Sequence, residues 1–225
     1  HVMTTSNHRP YTYPEGRIDI PSGSGRDGAV KYTDYAVGRF VEMARKHPWF
    51  GNTLFVITAD HGAGARGTMD IPADLYRIPL LLYAPGHIRP ARVDRLMSQI
   101  DIGPTVLGRL EMSYRSKFMG RDIFRAPPGE DRAFVATYQT LGYIRDGQLV
   151  SLSPQRKVRV RPLLPDGTPV DEARRKGHAA GIQLPRASGG RPACGGCLAP
   201  ATRLAVHAAT GRRTLCGMPP QCILQ

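Results

Sequence analysis

The residues best suited to chemistry are an aspartate and a histidine that adjoin in the segment Thr58-Ala-Asp-His-Gly62. Asp60 and His61 offer oxygen and nitrogen ligands that together accept Zn²⁺ or Mn²⁺, so the spacing does not select the metal. A cation held there would polarise a phosphoryl or sulfuryl oxygen and stabilise an attacking alkoxide. Alternatively, Asp60 caps the loop and His61 hydrogen-bonds to the backbone, which is the commoner outcome for an isolated pair of this kind.

The pair follows a continuous run of apolar and β-branched residues, 53–59, and precedes a glycine-rich segment, 62–67. Such a run predicts a strand that is buried on both faces of a parallel sheet. Because ligands of open α/β sheets collect beyond the carboxyl ends of the strands, this location favours a binding site. The glycine at position 62 would relax the backbone and let both side chains turn towards one cation.

The elements around this strand alternate between helix and strand, which predicts the α/β class. Apolar residues at three-to-four-residue spacing predict a helix from Lys31 that ends at His47-Pro48. A second buried strand is predicted over 78–84. A further helix is predicted from Asp101, with Pro104 in its first turn, and Asp101 is expected to cap a helix rather than bind metal.

A small β element is predicted to close this part of the chain, with Asp146-Gly147 as a hairpin turn and strands over 133–138, 141–144 and 148–152. From about Pro154 the sequence is rich in Arg, Pro, Gly and Cys and shows no helical or strand period. That composition predicts a largely disordered tail. The chain therefore divides into a body, 1–153, and a basic tail, 154–225.

The formal net charge of +13 is concentrated towards the C-terminus. Residues 1–150 contain 19 Lys and Arg against 15 Asp and Glu, whereas residues 151–225 contain 12 against 3. A basic segment from Arg156 to Lys176 could dock on anionic lipid or nucleic acid. Because the tail lacks aromatic residues for base stacking, sequence-specific nucleic-acid recognition is not expected. No targeting segment and no apolar run long enough for a transmembrane helix is recognised in this chain.

The succession of motifs in the body resembles the sulfatase-like branch of the alkaline phosphatase superfamily. The motifs are, in chain order, Asn52-Thr-Leu-Phe-Val-Ile-Thr-Ala-Asp-His-Gly62, Ile78-Pro-Leu-Leu-Leu-Tyr-Ala-Pro-Gly86 and Gln99-Ile-Asp-Ile-Gly-Pro-Thr105. Two further motifs, Ser6-Asn-His-Arg-Pro-Tyr11 and Gly120-Arg-Asp-Ile-Phe124, most resemble lipoteichoic acid synthase and related phosphoglycerol transferases. The resemblance covers roughly residues 3–152. It implies an alkaline-phosphatase-like, mostly parallel sheet flanked by helices, of which this chain would be the incomplete C-terminal part.

The resemblance also implies the roles of particular residues. Asp60 and His61 match the family's late pair of metal ligands, His8 matches the histidine that helps to hold the phosphoglycerol group, and Arg9 would assist it. One divalent cation is expected, Mn²⁺ by resemblance, with Zn²⁺, Mg²⁺ and Ca²⁺ as alternatives. A threonine nucleophile, a covalent phosphoryl-enzyme intermediate and lipid-linked or glycan substrates are implied as well. The catalytic domain would lie on the extracytoplasmic (periplasmic) side of the cell membrane.

The chain departs from the family pattern in two ways. It has no counterpart of the threonine nucleophile or of the first acidic metal ligand, so we expect it to be inactive without the N-terminal half of the catalytic domain. It also lacks the Cys-x-Pro-x-Arg signature of sulfatases that use formylglycine. The predicted function is phosphoglycerol-transferase-like phosphoryl transfer. Phosphodiester or sulfate ester hydrolysis is one alternative, and non-catalytic binding of polyanions through the basic tail is another.

Overall fold

A computed structural model describes residues 1–63, 70–171 and 223–224, and the chain forms two compact units. Of the described residues, the first unit comprises 1–57, 80–93 and 223–224, and the second comprises 58–63, 70–79 and 94–171. Two helices lie wholly within the described residues, α1 (Arg26–Ala44) and α2 (Ile102–Arg109). The strands are β1 (Phe55–Thr58), β2 (Leu80–Tyr83), β3 (Arg92–Val93), β4 (Ala133–Thr137), β5 (Thr140–Arg145), β6 (Gln148–Ser153), β7 (Lys157–Pro162) and β8 (Ile223–Leu224). Four 3₁₀ turns span Phe50–Asn52, Ala73–Tyr76, Gln99–Asp101 and Pro154–Arg156.

The first unit packs helix α1 on strands β1 and β2. The helix begins five residues before the predicted start and ends ahead of His47-Pro48, as expected. Its buried side chains meet β1 and β2 in an apolar cluster of Val41, Ala44, Phe55 and Tyr83. Successive side chains of a strand point to opposite faces. Phe55 is therefore buried against α1, whereas Val56 is exposed on the other face, and the prediction of a strand buried on both faces is wrong for β1.

The sheet of the first unit has the strand order β1-β2-β8-β3. Strand β8 pairs antiparallel with β2 and parallel with β3. The helices and sheets of the chain confirm the predicted α/β class. Among the described residues, no helix has both the length and the hydropathy to cross a membrane.

The second unit contains an antiparallel sheet in the order β4-β5-β6-β7. The predicted C-terminal β element is confirmed, with Arg145 paired with Gln148 across a two-residue turn. Asp146 and Gly147 have φ of 49° and 70°, and a type I′ hairpin turn requires positive φ at both central positions.

The predicted boundary of the disordered tail at 153/154 is wrong, because β7 extends this sheet beyond it. Val160 of β7 pairs with Val150 of β6, and β8 shows that a second short strand arises from the predicted tail. The run Lys157-Val-Arg-Val-Arg161 alternates in type as a strand does. Main-chain pairing with β6 holds it in place, and the charge of the segment gives no sign of that pairing. Residues 172–222 and 225 of the predicted tail lie outside the described residues.

A buried cluster connects the segment after the Asp60-His61 loop to this antiparallel sheet. Its members are Ile71, Ala73, Ala133, Ile144 and Leu149. The hydroxyl of Tyr76 also donates a hydrogen bond to the carbonyl oxygen of Ala136 in β4 (2.6 Å). Residues 71–76 are thus fixed on the sheet of the second unit.

Asp101 does cap a helical segment, but it is the 3₁₀ turn Gln99–Asp101 rather than α2. Its carboxylate accepts a hydrogen bond from the backbone N–H of Ser98 (2.8 Å), and Ser98 and Asp101 form a reciprocal capping box. No side-chain hydrogen bond caps α2 at this position. The buried carboxylate forms an ion pair with Arg132 (2.8 Å). The pairing offsets the cost of taking the carboxylate charge out of water.

Candidate functional site

Asp60 and His61 lie just beyond the end of β1, in the second unit. The last residue of the strand, Thr58, is fixed there by a hydrogen bond from its Oγ1 to the carbonyl oxygen of Pro79 (2.9 Å). Oδ1 of Asp60 accepts a hydrogen bond from the backbone N–H of His61 (3.0 Å). Oδ2 of Asp60 lies 3.7 Å from Nε2 of His61, and both side chains are exposed. The two predicted metal ligands therefore face each other at the surface.

The hydrogen bond made by the His61 ring determines which nitrogen is available as a ligand. Nδ1 lies 2.9 Å from the carbonyl oxygen of Gly62. Since a carbonyl oxygen only accepts, Nδ1 is the donor, and in the neutral form of the ring Nε2 keeps its lone pair. Histidines that bind metals commonly donate their other ring N–H in this way. The backbone contacts of the alternative interpretation are thus present, but they use only one polar atom of each side chain.

The two remaining atoms fit a divalent cation. Metal–ligand distances for carboxylate oxygen and imidazole nitrogen are roughly 2.0–2.2 Å. The 3.7 Å between Oδ2 of Asp60 and Nε2 of His61 is shorter than twice this value, so both atoms can reach one ion. Across residues 1–63 and 70–171, no His, Cys, Asp or Glu completes a group of three ligands with them. Residues 64–69 of the predicted glycine-rich loop lie outside the described residues.

Gly62 holds the loop close to a neighbouring backbone, which is a different reason for a glycine from the one the sequence suggested. A Cβ atom at this position would lie 1.8 Å from the carbonyl oxygen of Leu75. Leu75 belongs to the 3₁₀ turn Ala73–Tyr76, which is fixed on the antiparallel sheet. A larger residue would therefore have to move the loop that carries Asp60 and His61.

Gln99 contacts the same loop, although no role was predicted for this residue from the sequence. Its side-chain amide nitrogen donates to the carbonyl oxygen of Asp60 (2.6 Å) and to that of Ala59 (3.3 Å). The only signal in the sequence is its place at the start of the Gln99-Ile-Asp101 motif. That position does not show which backbone atoms the side chain reaches.

His8 and Arg9 lie in a turn of the first unit. The turn is closed by hydrogen bonds from the N–H of His8 to the oxygen of Thr5 (3.0 Å) and from the N–H of Tyr11 to the oxygen of His8 (2.8 Å). Nδ1 of His8 donates to the carbonyl oxygen of Arg9 (2.8 Å), which leaves Nε2 available in the exposed ring. Nε2 of His8 can therefore form a hydrogen bond with a ligand.

Two arginines, Arg9 and Arg26, interact with the phenol of Tyr11 in this turn. Arg26 donates a hydrogen bond to the Tyr11 hydroxyl (3.2 Å). Hydrogen bonds from Arg9, and to a lesser extent from Arg26, lower the pKa of Tyr11 below its ordinary value because the positive charges favour the phenolate. The turn that carries His8 thus also carries guanidinium groups at the Tyr11 hydroxyl, a combination of donors suited to binding an anion.

Comparisons with known proteins agree with these features. Residues 1–112 match the family model described as Sulfatase. Phosphoglycerol transferase I from Xanthomonas campestris pv. campestris is 34% identical over 127 residues, which are 55% of this chain and 18% of that protein. Lipoteichoic acid synthase 2 from Bacillus subtilis is 27% identical over 143 residues, covering 54% of this chain and 22% of that protein.

A solved structure is also similar to this chain. The crystal structure of a protein in the alkaline phosphatase superfamily from Vibrio parahaemolyticus superposes with a TM-score of 0.66 at 35% identity, covering 72% of this chain and 40% of that one. The fold is thus of the alkaline phosphatase type. The chain belongs to the sulfatase-like branch of this superfamily, as its motifs predicted. It spans about a fifth of the length of the two curated relatives described above.

Proposed function

We propose that this chain forms the C-terminal part of the catalytic domain of a phosphoglycerol-transferase-like enzyme and supplies two of its metal ligands. The enzyme would transfer a phosphoryl group from lipid-linked or glycan substrates. The observation that carries the proposal is the pairing of Oδ2 of Asp60 with Nε2 of His61 at 3.7 Å, each free of other hydrogen bonds among the described residues. Family membership and the names of two relatives, a phosphoglycerol transferase and a lipoteichoic acid synthase, support this substrate class.

In this proposal, Asp60 and His61 hold one divalent cation, Mn²⁺ by family resemblance, with Zn²⁺, Mg²⁺ and Ca²⁺ as alternatives. The bound cation would neutralise negative charge on the transferred phosphoryl group. Gly62 and its carbonyl keep the His61 ring oriented with Nε2 available. The threonine nucleophile and the first acidic ligand would come from an N-terminal part of the catalytic domain, on the extracytoplasmic side of the cell membrane.

His8 and Arg9 are proposed to bind the phosphoglycerol group. In the neutral form of the His8 ring, Nε2 can accept a hydrogen bond from a glycerol hydroxyl, because Nδ1 donates to the Arg9 carbonyl. The guanidinium of Arg9 can form charge-assisted hydrogen bonds with a phosphate oxygen. The acceptor of the phosphoryl group, an alcohol or water, would decide between transfer and hydrolysis.

The metal site is tested by titrating the full 225-residue chain with Mn²⁺ and following the His61 ring resonance by NMR. Paramagnetic broadening detects even weak binding at a named residue. We expect Mn²⁺ to broaden this resonance in the wild type. In Asp60→Asn, which removes the carboxylate but keeps the shape of the side chain, we expect the resonance to stay sharp. Asp146→Asn is the matched control, because Asp146 in the hairpin turn is about as exposed as Asp60. Equal broadening in Asp60→Asn and the wild type would refute the site.

Turnover tests the remainder of the proposal. We expect negligible Mn²⁺-dependent cleavage of a chromogenic phosphodiester by this chain, since the nucleophile is placed outside it. Cleavage that Asp60→Asn abolishes would overturn that placement. Faster cleavage of a sulfate ester than of the phosphodiester would instead identify the site as that of a sulfate ester hydrolase.

A further inference from the structure

We propose that Gln99 is a positioning residue that sets the separation of Asp60 and His61 by holding the backbone of their loop. The inference rests on the metal site proposed above and adds a residue that does not itself touch the cation. Its basis is the pair of hydrogen bonds from the Gln99 amide nitrogen to the carbonyl oxygens of Asp60 (2.6 Å) and Ala59 (3.3 Å).

The two acceptors lie at the point where the chain leaves the sheet. Strand β1 ends at Thr58, so the carbonyl groups of Ala59 and Asp60 follow the last residue of the strand. A carbonyl oxygen only accepts, and the side-chain NH₂ group of Gln99 is therefore the part of the amide that must face both. One side chain thus fixes two successive peptide groups, and the second of these connects Asp60 to His61.

Gln99 can fix the loop because the residues on either side of it, Ser98 and Asp101, are themselves held by hydrogen bonds. The capping box between Ser98 and Asp101 closes the 3₁₀ turn that contains it. Asp101 is buried and accepts hydrogen bonds from Arg132 and from the backbone N–H of Arg121 (2.9 Å). Oγ of Ser98 donates to the carbonyl oxygen of Phe134 in β4 (3.2 Å). The exposed amide therefore projects from a rigid support.

Close packing against the same turn adds to this rigidity. A Cβ atom on Gly120 would lie 1.9 Å from the carbonyl oxygen of Ile100, so the chain at 120 lies directly against the backbone of the residue after Gln99. Displacement of the turn would disturb both this contact and the buried ion pair. The Asp60-His61 loop is consequently tied to a turn that is itself held in place by these contacts.

The test uses Gln99→Met, which keeps the length of the side chain and removes its hydrogen-bond donors, and Gln99→Glu, which replaces the donors with acceptors. Gln148→Met, at an exposed position beside the hairpin turn, is the matched control. Each full-length variant is titrated with Mn²⁺ while the His61 ring resonance is followed by NMR. The melting temperature and the ¹³C resonances of the Ala59 and Asp60 carbonyl groups are recorded in parallel.

We expect both Gln99 variants to require about three- to tenfold more Mn²⁺ for half-maximal broadening, as the loss of one ordinary hydrogen bond would produce. The two carbonyl resonances should move upfield, and the melting temperature should match that of Gln148→Met. Wild-type affinity in Gln99→Met would overturn the positioning role while leaving the metal site intact. Weaker binding accompanied by a lower melting temperature and unmoved carbonyl resonances would also overturn it, because that result describes general destabilisation. Absence of broadening in the wild type would remove the metal site and this inference together.

Discussion

The ion pair of Arg132 and Asp101 gives the sharpest prediction for stability. Nη1 of Arg132 lies 3.1 and 2.8 Å from the two carboxylate oxygens, and Nη2 lies 3.1 Å from Oδ1. The Arg132 and Asp101 side chains are 11% and 1% exposed. Exposed ion pairs contribute about 0–1 kcal/mol, whereas removal of one partner from a buried pair costs about 3–5 kcal/mol. Because both side chains are almost inaccessible to solvent, this ion pair counts as a buried one.

We expect Arg132→Met to lower the free energy of unfolding by about 3 kcal/mol, the lower end of that range, because two backbone N–H groups still bind the carboxylate. Methionine is chosen because it preserves packing over the ring of Phe134, which the guanidinium covers at 5.0 Å. Urea denaturation followed by circular dichroism measures the change. Arg115→Met, at an exposed position, is the control and should change the free energy by less than about 0.5 kcal/mol.

A double variant separates the buried charge from the loss of packing. Asp101→Asn combined with Arg132→Met removes the uncompensated carboxylate and keeps an acceptor for the backbone N–H of Ser98, whereas the N–H of Arg121 then faces the amide NH₂ group. We therefore expect the double variant to be more stable than Arg132→Met alone by at least about 1 kcal/mol. If the two substitutions simply add, or if Arg132→Met is no less stable than Arg115→Met, the assignment of a buried, energetically coupled pair is refuted.

Two further predictions concern the loops that carry the candidate site residues. Gly62→Ala should weaken Mn²⁺ binding at least tenfold, because its Cβ would lie 1.8 Å from the oxygen of Leu75 and the loop would have to move; unchanged broadening of the His61 resonance would contradict this. Arg9→Ala should raise the pKa of Tyr11 towards its ordinary value and Arg26→Ala should raise it less, because hydrogen bonding from Arg9 is the larger cause of the lowered pKa. NMR titration of the labelled Tyr11 ring measures both values, and an unchanged pKa in Arg9→Ala would exclude the contact. In the wild type, the Tyr11 phenolate should form at a lower pH than in either variant.

The elements found from the sequence are those whose signals are local. Helix α1, the strand before Asp60 and the hairpin at Asp146-Gly147 follow from apolar spacing, β-branched runs and turn residues that lie within a few positions of one another. The geometry of Asp60 and His61 is also partly local, since adjacent residues after a strand cannot lie far apart. The tail boundary was misplaced because the basic composition of the segment outweighed the alternation of Lys157-Val-Arg-Val-Arg161, and because the pairing with β6 that holds this strand cannot be read from the segment itself.

The order of motifs was sufficient to place this chain in its branch of the alkaline phosphatase superfamily and to select Asp60 and His61 as candidate metal ligands. The tertiary structure alone showed how their loop is held: by the amide of Gln99, 39 residues away along the chain, and by the close approach of Gly62 to Leu75. It also showed that Asp101 pairs with Arg132, 31 residues later. Contacts between residues so far apart in sequence depend on how the intervening elements pack, and neither the type nor the spacing of the residues encodes that packing directly.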